Sequence, residues 1–425
     1  MTTPSASPSS QPSSSLPPQE KAAQPQWQPA LAFRHRMAAL WQSFFLLATT
    51  VGILSLAVLL YNVMDGSFGL VAYEYKVDPA GLTDQPLETL DHDALVALLK
   101  GRLSKGAFNK LDKEKGFALR SRDELYQLVL ERVVQPKVLA TWPLTESLLR
   151  RAAIAAEVQA KFPQAKLAFR SWVSPSFILR PMSSDALYAG VRTAVLGSLW
   201  LISITILLAL PVGVGAAIYL QEYAAETWLN RLIQTNINNL AGVPSIVYGM
   251  LGLAIFVRAL EPLTSGALLG VTDSNGRTIL SAGLTMALLI LPLIIINAQE
   301  AIKAVPNSLR QASYGLGATR WQTIWSHVLP NALPGILTGS ILAISRALGE
   351  TAPLIVVGAS TFITVNPSSP FTKFTALPIQ IYNWTSRPQG EFRHIAAAAI
   401  LVLLVLLLSM NAGAILLRNH FSRRY

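Results

Sequence analysis

The sequence predicts an all-α membrane protein: a bundle of six spanning helices with a charged, mostly helical domain inserted after the first. Three observations predict it. Hydrophobic residues make up 52% of the 425-residue chain and charged residues only 13%, too few to cover soluble domains of that size. The charges are unevenly placed, with 29 of the 57 between Gly66 and Arg170, so that the other 320 positions share 28. Apolar runs poor in charge also recur at the roughly 20-residue length that a bilayer core demands. A buried core helix explains any one such run, but not six of them.

Residues 1–33 are read as a disordered tail, because Pro, Ser, Gln and Ala leave almost nothing apolar to bury before Leu31. No basic segment precedes a short apolar stretch, so the tail is not read as a secretory signal. The first span falls within 34–64, headed by Arg34 and Arg36. The others are expected at Thr193–Gln221, Leu232–Val257, Thr278–Gln299, about Leu333–Ser360 and Ile395–Leu417. Arg and Lys flank the first span, the last span and the loop between spans four and five, which places these on the cytoplasmic side of the membrane. Both termini then lie in the cytoplasm. Residues 65–184 form the extracytoplasmic insert, and 185–425 the remaining transmembrane domain.

Within the insert, Ser121 and Glu124 have capping-box spacing ahead of an apolar series that ends at Pro136. Further helices are expected over Glu146–Lys161 and Asp91–Leu103. Lys and Arg outnumber Asp and Glu there by only 16 to 13, which suits a solvated capping or docking domain.

Several chemistries are missing from the sequence. It has no Gly-x-x-x-x-Gly-Lys-Ser/Thr loop to cradle ATP phosphates, and no Gly-x-Ser-x-Gly elbow. The five histidines are scattered and there is no cysteine, so no metal, cofactor or catalytic residue is assigned to the chain itself. Its basic charge lacks interleaved aromatics, so nucleic acid is not a partner.

Two constellations carry information. The segment at about 299–334 reads as two short amphipathic helices, Pro306–Tyr314 and Ala318–Val328, turning at Gly315 and Gly317 and closed by Leu329-Pro330. Trp321, Ile324, Trp325 and Val328 recur at helical spacing and predict one apolar face. That face either packs on its own spans or plugs a groove in a partner. The second constellation is Arg346-Ala-Leu-Gly-Glu350-Thr351-Ala-Pro353 inside span five. Arg346 lies about 20 Å along the helix from Leu333 at about 1.5 Å per residue. A charge at such depth costs at least about 2.5–3.5 kcal/mol unless paired or hydrated. Glu350, four residues on, offers the partner. The pair either locks the bundle or lends a bidentate guanidinium to the route of an oxyanion.

Gln311-Ala312-Ser313, Gly317 and Leu329-Pro330 resemble the coupling loop of bacterial ABC-importer permeases, although Gln311 stands where that family usually has Glu, and His327 where it often has Ile. Arg346 to Pro353, Asn239 to Gly249, Ala209 to Leu220 and Leu377 to Trp384 resemble phosphate-importer permeases of the PstA type. The resemblance implies a type I permease fold in a bacterial inner membrane, with Arg346, Glu350 and Thr351 on the substrate route. It also implies that Gln311, Ala312, Ser313, Gly317, Leu329 and Pro330 contact the ATPase. The implied partners are a second permease subunit of the PstC type, a dimer of ATP-binding subunits that uses the ATP, and an extracytoplasmic phosphate-binding protein. An arginine alone does not separate phosphate from sulfate or molybdate. A membrane sensor whose insert binds a ligand is the reading from another class. Gly335 and Gly339 have the spacing for close helix packing, most simply within the subunit.

Overall fold

The computed structural model describes residues 31–83, 85–114, 116–271 and 275–422. The predicted tail lies outside them except for its last three residues, which open the first helix instead. Leu31, Ala32 and Phe33 simply continue its apolar sequence. That helix, α1, runs Leu31–Ser67 and at 37 residues is long enough to span a bilayer. The chain divides into two compact units at Leu59/Leu60, and the rest of the description concerns the second.

The insert contains a sheet that the sequence analysis does not predict. β1 (Phe68–Tyr75) leaves α1 directly and is the centre of a three-stranded antiparallel sheet, order β2-β1-β3. Between β1 and β2 come α2 (His92–Arg102), α3 (Lys105–Glu114) and α4 (Arg122–Val129). Leu95, Leu99, Phe117, Leu125 and Val129 give these helices a core of their own. Asp91 caps α2, and both hydrogen bonds of the Ser121–Glu124 capping box are present at α4. A wide π turn, Leu130–Val134, ends at Gln135 with φ +46 before β2 (Pro136–Pro143).

The helix expected over Glu146–Lys161 is two helices, α5 (Leu144–Leu149) and α6 (Arg151–Lys161), which part at Arg150 (φ −121, ψ 21). The corner lets α6 lay Ile154 and Val158 on Leu70 and Ala72 of β1. β3 (Lys166–Ser171) and the short α7 (Pro175–Leu179) lead into the bundle. Alternation is weak in these strands because β1 is covered on both faces, so the period-2 signal of an exposed strand never arises.

The bundle comprises α8 (Arg192–Ile218), α9 (Trp228–Ala241), α10 (Ser245–Gly252), a single turn α11 (Glu261–Thr264), α12 (Ile279–Lys303), α13 (Asn307–Gly315) and α14 (Arg320–Thr323). It is completed by α15 (Leu329–Gly349), α16 (Ala352–Val357), α17 (Leu377–Thr385) and α18 (Gly390–Ser422). Among the described residues five helices are long and apolar enough to cross a membrane, and a sixth if the α9–α10 pair, bent by 106°, counts as one span. Met286, Ile290 and Ile294 of α12 fill the centre between Leu201 and Ala209 of α8 and Ala343 and Ala347 of α15. Gly335 and Gly339 let α15 approach α12 closely: a Cβ on them would stand 2.8 Å from Ala301 and 2.4 Å from Asn297. The pair therefore serves packing within the subunit.

The sheet is tied to the bundle at one end. Trp172 stacks on His394 at the start of α18 with ring centroids 5.7 Å apart, and His394 Nδ1 lies 2.6 Å from the carbonyl of Gly66. Arg170 Nη2 donates to Leu187 O at 2.6 Å. Burial in this junction pushes the Asp185 carboxyl and the Tyr188 phenol up from their ordinary values, and holds the Arg170 guanidinium down.

Candidate functional site

Two of the spans break, and the breaks face each other. In the third, Gly242 and Pro244 end α9 and restart the chain as α10, because proline cannot donate the next helical hydrogen bond. Tyr248 OH spans the break and donates to Leu240 O at 2.7 Å. In the fifth, α15 ends at Gly349, Glu350 is extended (φ −74, ψ 129), and α16 restarts at Ala352-Pro353. Glu350 therefore does not share a helical face with Arg346, as four-residue spacing suggests. The pair forms nonetheless, with Arg346 Nε 3.3 Å from Glu350 Oε1. Gly249 closes α10 onto this break: a Cβ there would stand 2.7 Å from Pro353 Cα. Tyr248 lies within electrostatic reach of Arg346.

Arg346 is 48% exposed and Glu350 only 19%. The guanidinium thus faces away from the core of its own subunit, held at one nitrogen while others remain available to a ligand. Thr351, half-buried, follows Glu350 as the residue that opens α16. This arrangement is suited to receiving an anion at a half-exposed, partly neutralised arginine.

The second region is the α12–α15 connection. Gly317 adopts φ +85 with open space around its Cα, so conformation rather than crowding calls for glycine. Thr319 and Gln322 form a capping box at α14, and Ser313 Oγ meets Thr323 Oγ1 at 2.9 Å in a buried contact between α13 and α14. Gln311 and Ala312 are exposed while Ser313 is buried, so the three neighbours have different surroundings.

Leu329-Pro330 does not end the second helix. A π turn at Ile324–Val328 widens the backbone, Leu329 N–H bonds to Ile324 O, and the helix runs on continuously from Arg320 to Gly349. The wider turn absorbs the missing proline N–H. The predicted apolar face also divides. Ile324 and Val328 are buried, whereas Trp321 and Trp325 are exposed and stack on each other with ring centroids 5.7 Å apart. Leu316, at the turn before α14, is 90% exposed.

Sequence analysis misses one pair in this region. Arg310 Nη2 contacts Glu222 Oε1 at 2.8 Å and also donates to Ile302 O, while its Nη1 donates to Val305 O. The two side chains are 13% and 8% exposed. They are 88 positions apart, and no local pattern announces the contact.

Residues 209–425 match the family described as "Binding-protein-dependent transport system inner membrane component". The chain is 32% identical over 256 residues to the "Probable ABC transporter permease protein YqgI" of Bacillus subtilis, covering 57% of this chain and 83% of that one. It is 33% identical to the "Phosphate transport system permease protein PstA 1" of Mycobacterium tuberculosis, covering 58% and 75% of the two chains. The "Phosphate transport system permease protein PstC" of Pasteurella multocida is 34% identical over 47% of this chain and 66% of its own length.

Proposed function

Because the chain belongs to the binding-protein-dependent transport system inner membrane component family, we propose that it is the PstA-type permease subunit of an importer of inorganic phosphate. As a member of that family it is a multi-pass permease subunit of an ABC importer. The substrate, the second permease subunit and the residue roles below are our reading. It is supported by relatives named for phosphate transport and carried by one observation, the half-exposed Arg346 at a break in span five.

In this reading the insert lies on the extracytoplasmic side and both termini lie in the cytoplasm. Phosphate leaves its binding protein and passes between this subunit and a PstC-type partner. It meets Arg346, whose planar guanidinium replaces water at two oxygens. Glu350, half-buried beside the guanidinium, tempers its field so that the anion is released onward. Thr351 offers a hydroxyl next to it. Two copies of an ATP-binding subunit supply the energy. One of them receives the loop around Gln311, Ala312, Ser313, Gly317, Leu329 and Pro330, with the Trp321–Trp325 stack as the protruding element.

Uptake of labelled phosphate into vesicles holding the whole transporter tests the reading. Arg346→Gln is expected to reduce uptake at least tenfold, the equivalent of about 1.4 kcal/mol, with assembly intact. Excess sulfate or molybdate should leave the uptake unchanged. Undiminished uptake in the variant would remove Arg346 from the route, and competition by sulfate would reassign the substrate.

A further inference from the structure

Where the insert meets the end of α1, two exposed leucines follow a threonine tied to that helix. Tyr61, in the last turns of α1, has its hydroxyl 2.6 Å from Thr145 Oγ1. One turn later Asp65 Oδ1 accepts hydrogen bonds from Thr145 N and Thr145 Oγ1, each 2.6 Å. These contacts suspend α5 at the level where the apolar sequence of α1 gives way to polar residues. A tyrosine at that level is typical of the membrane–water boundary.

The inner side of α5 is spoken for. Ser147 is buried, accepts from Leu70 N of β1 at 2.8 Å and donates to Pro143 O at 2.7 Å. The outer side therefore presents Leu148 and Leu149, 70% and 80% exposed. Four residues separate Thr145 from Leu149, so the leucines stay within about 6 Å of the suspension point at 1.5 Å per residue. Arg150 and Arg151 follow at once, both exposed, at the corner before α6.

We propose that this corner is an interfacial anchor, with Leu148 and Leu149 inserted into the lipid leaflet next to α1 and Arg150 and Arg151 held at the level of the lipid phosphates. Two leucines left in water beside a bilayer gain by entering it. Arginines at that depth keep their heads among the phosphates while their stems lie on apolar surface. The occupant is lipid rather than protein because the leucines hang from Tyr61 and Asp65, where a membrane-spanning sequence turns polar, and two exposed arginines follow them at once. The anchor sets the height and tilt of the sheet over the bundle. It does not depend on which anion is carried.

The chain has no cysteine, so with partner subunits made cysteine-free a single nitroxide label can be placed without background. The whole transporter, carrying Leu148→Cys, Leu149→Cys, Leu119→Cys or Leu60→Cys in turn, is reconstituted in phosphatidylcholine–phosphatidylglycerol vesicles. Collision of each label with oxygen and with a water-soluble nickel chelate is then measured. Labels at 148 and 149 are expected to favour oxygen over nickel several-fold, as at 60 in α1. The label at 119, exposed on the insert's helical part, should favour nickel. A water-like ratio at both leucines overturns the proposal. So does an immobilised label shielded from both reagents, which would mean that protein covers the corner.

Discussion

Gly317 shows how much a single residue decides. Its φ of +85 turns the chain between α13 and α14 in open space. A side chain there meets no neighbour, so any penalty comes from the backbone. A β-branched residue in this region costs about 1–3 kcal/mol, whereas asparagine tolerates it. Gly317→Val should therefore tilt α14 and displace the exposed Trp321–Trp325 stack, while Gly317→Asn leaves both in place. On the proposed docking role, the valine variant retains about tenfold less ATP-binding subunit on purification, with the bundle still assembled. Equal retention by the two variants would separate the turn from docking. Arg346 is the complementary case. There the residue type was legible because charge is so scarce around it, but the extended backbone of Glu350 was not, since helical spacing says nothing of where a helix stops.

At the scale of elements, Arg310 fastens α13 to Glu222 in the π turn Tyr219–Tyr223 that follows α8, and to the carbonyls of Ile302 and Val305 at and just beyond the end of α12. Removing one member of such a buried pair strands the other, at a cost of about 3–5 kcal/mol, while removing both costs less. Glu222→Leu should accordingly lower the melting temperature of the purified permease sharply, and Glu222→Leu with Arg310→Met should recover part of the loss. Strictly additive losses in a double-mutant cycle would mean that the pair contributes nothing beyond its separate contacts. The elements themselves were unevenly legible. Spans one, two, four and six follow from hydropathy alone, and the α2 and α4 caps from Asp91 and from the Ser121–Glu124 spacing. The Gly242–Pro244 break was written in the sequence as a helix-stopping pair, yet a hydropathy window averages it away. The continuity of Arg320–Gly349 was hidden for the opposite reason. Proline signals a stop, and only a π turn, which leaves no composition signal, lets the helix continue through Pro330. β1 was missed because burial on both faces removes the alternation that marks a strand.

For the whole molecule the structure divides what the sequence presents as one insert. The sheet and α6 belong to the bundle's end: Val71 packs in the cluster that holds Trp172, Trp384, Phe392 and Ile395, and the sheet carries the Arg170 contact to Leu187. The helices α2 to α4 have a separate core between two antiparallel strands. The β1–β2 pairing even extends toward them, with Val77 N–H donating to Val134 O at 3.2 Å. Replacing residues 78–133 by Asn-Gly would close β1 and β2 as a two-residue hairpin, a turn those residues favour. Because the bundle's end loses only the partly buried Leu130 and the long Ser183–Glu131 hydrogen bond, this shortened chain should assemble and melt within a few degrees of the full one. Excising 68–171 instead removes Val71, the Arg170 contact and the Asp65–Thr145 bonds, and that chain should fail to assemble. If the shortened chain aggregates as the fully excised one does, the two layers are not separable. If it assembles, its phosphate uptake then reports what α2 to α4 do. Normal uptake means that they only cap the bundle, and uptake lost together with binding-protein association means that they form its landing surface.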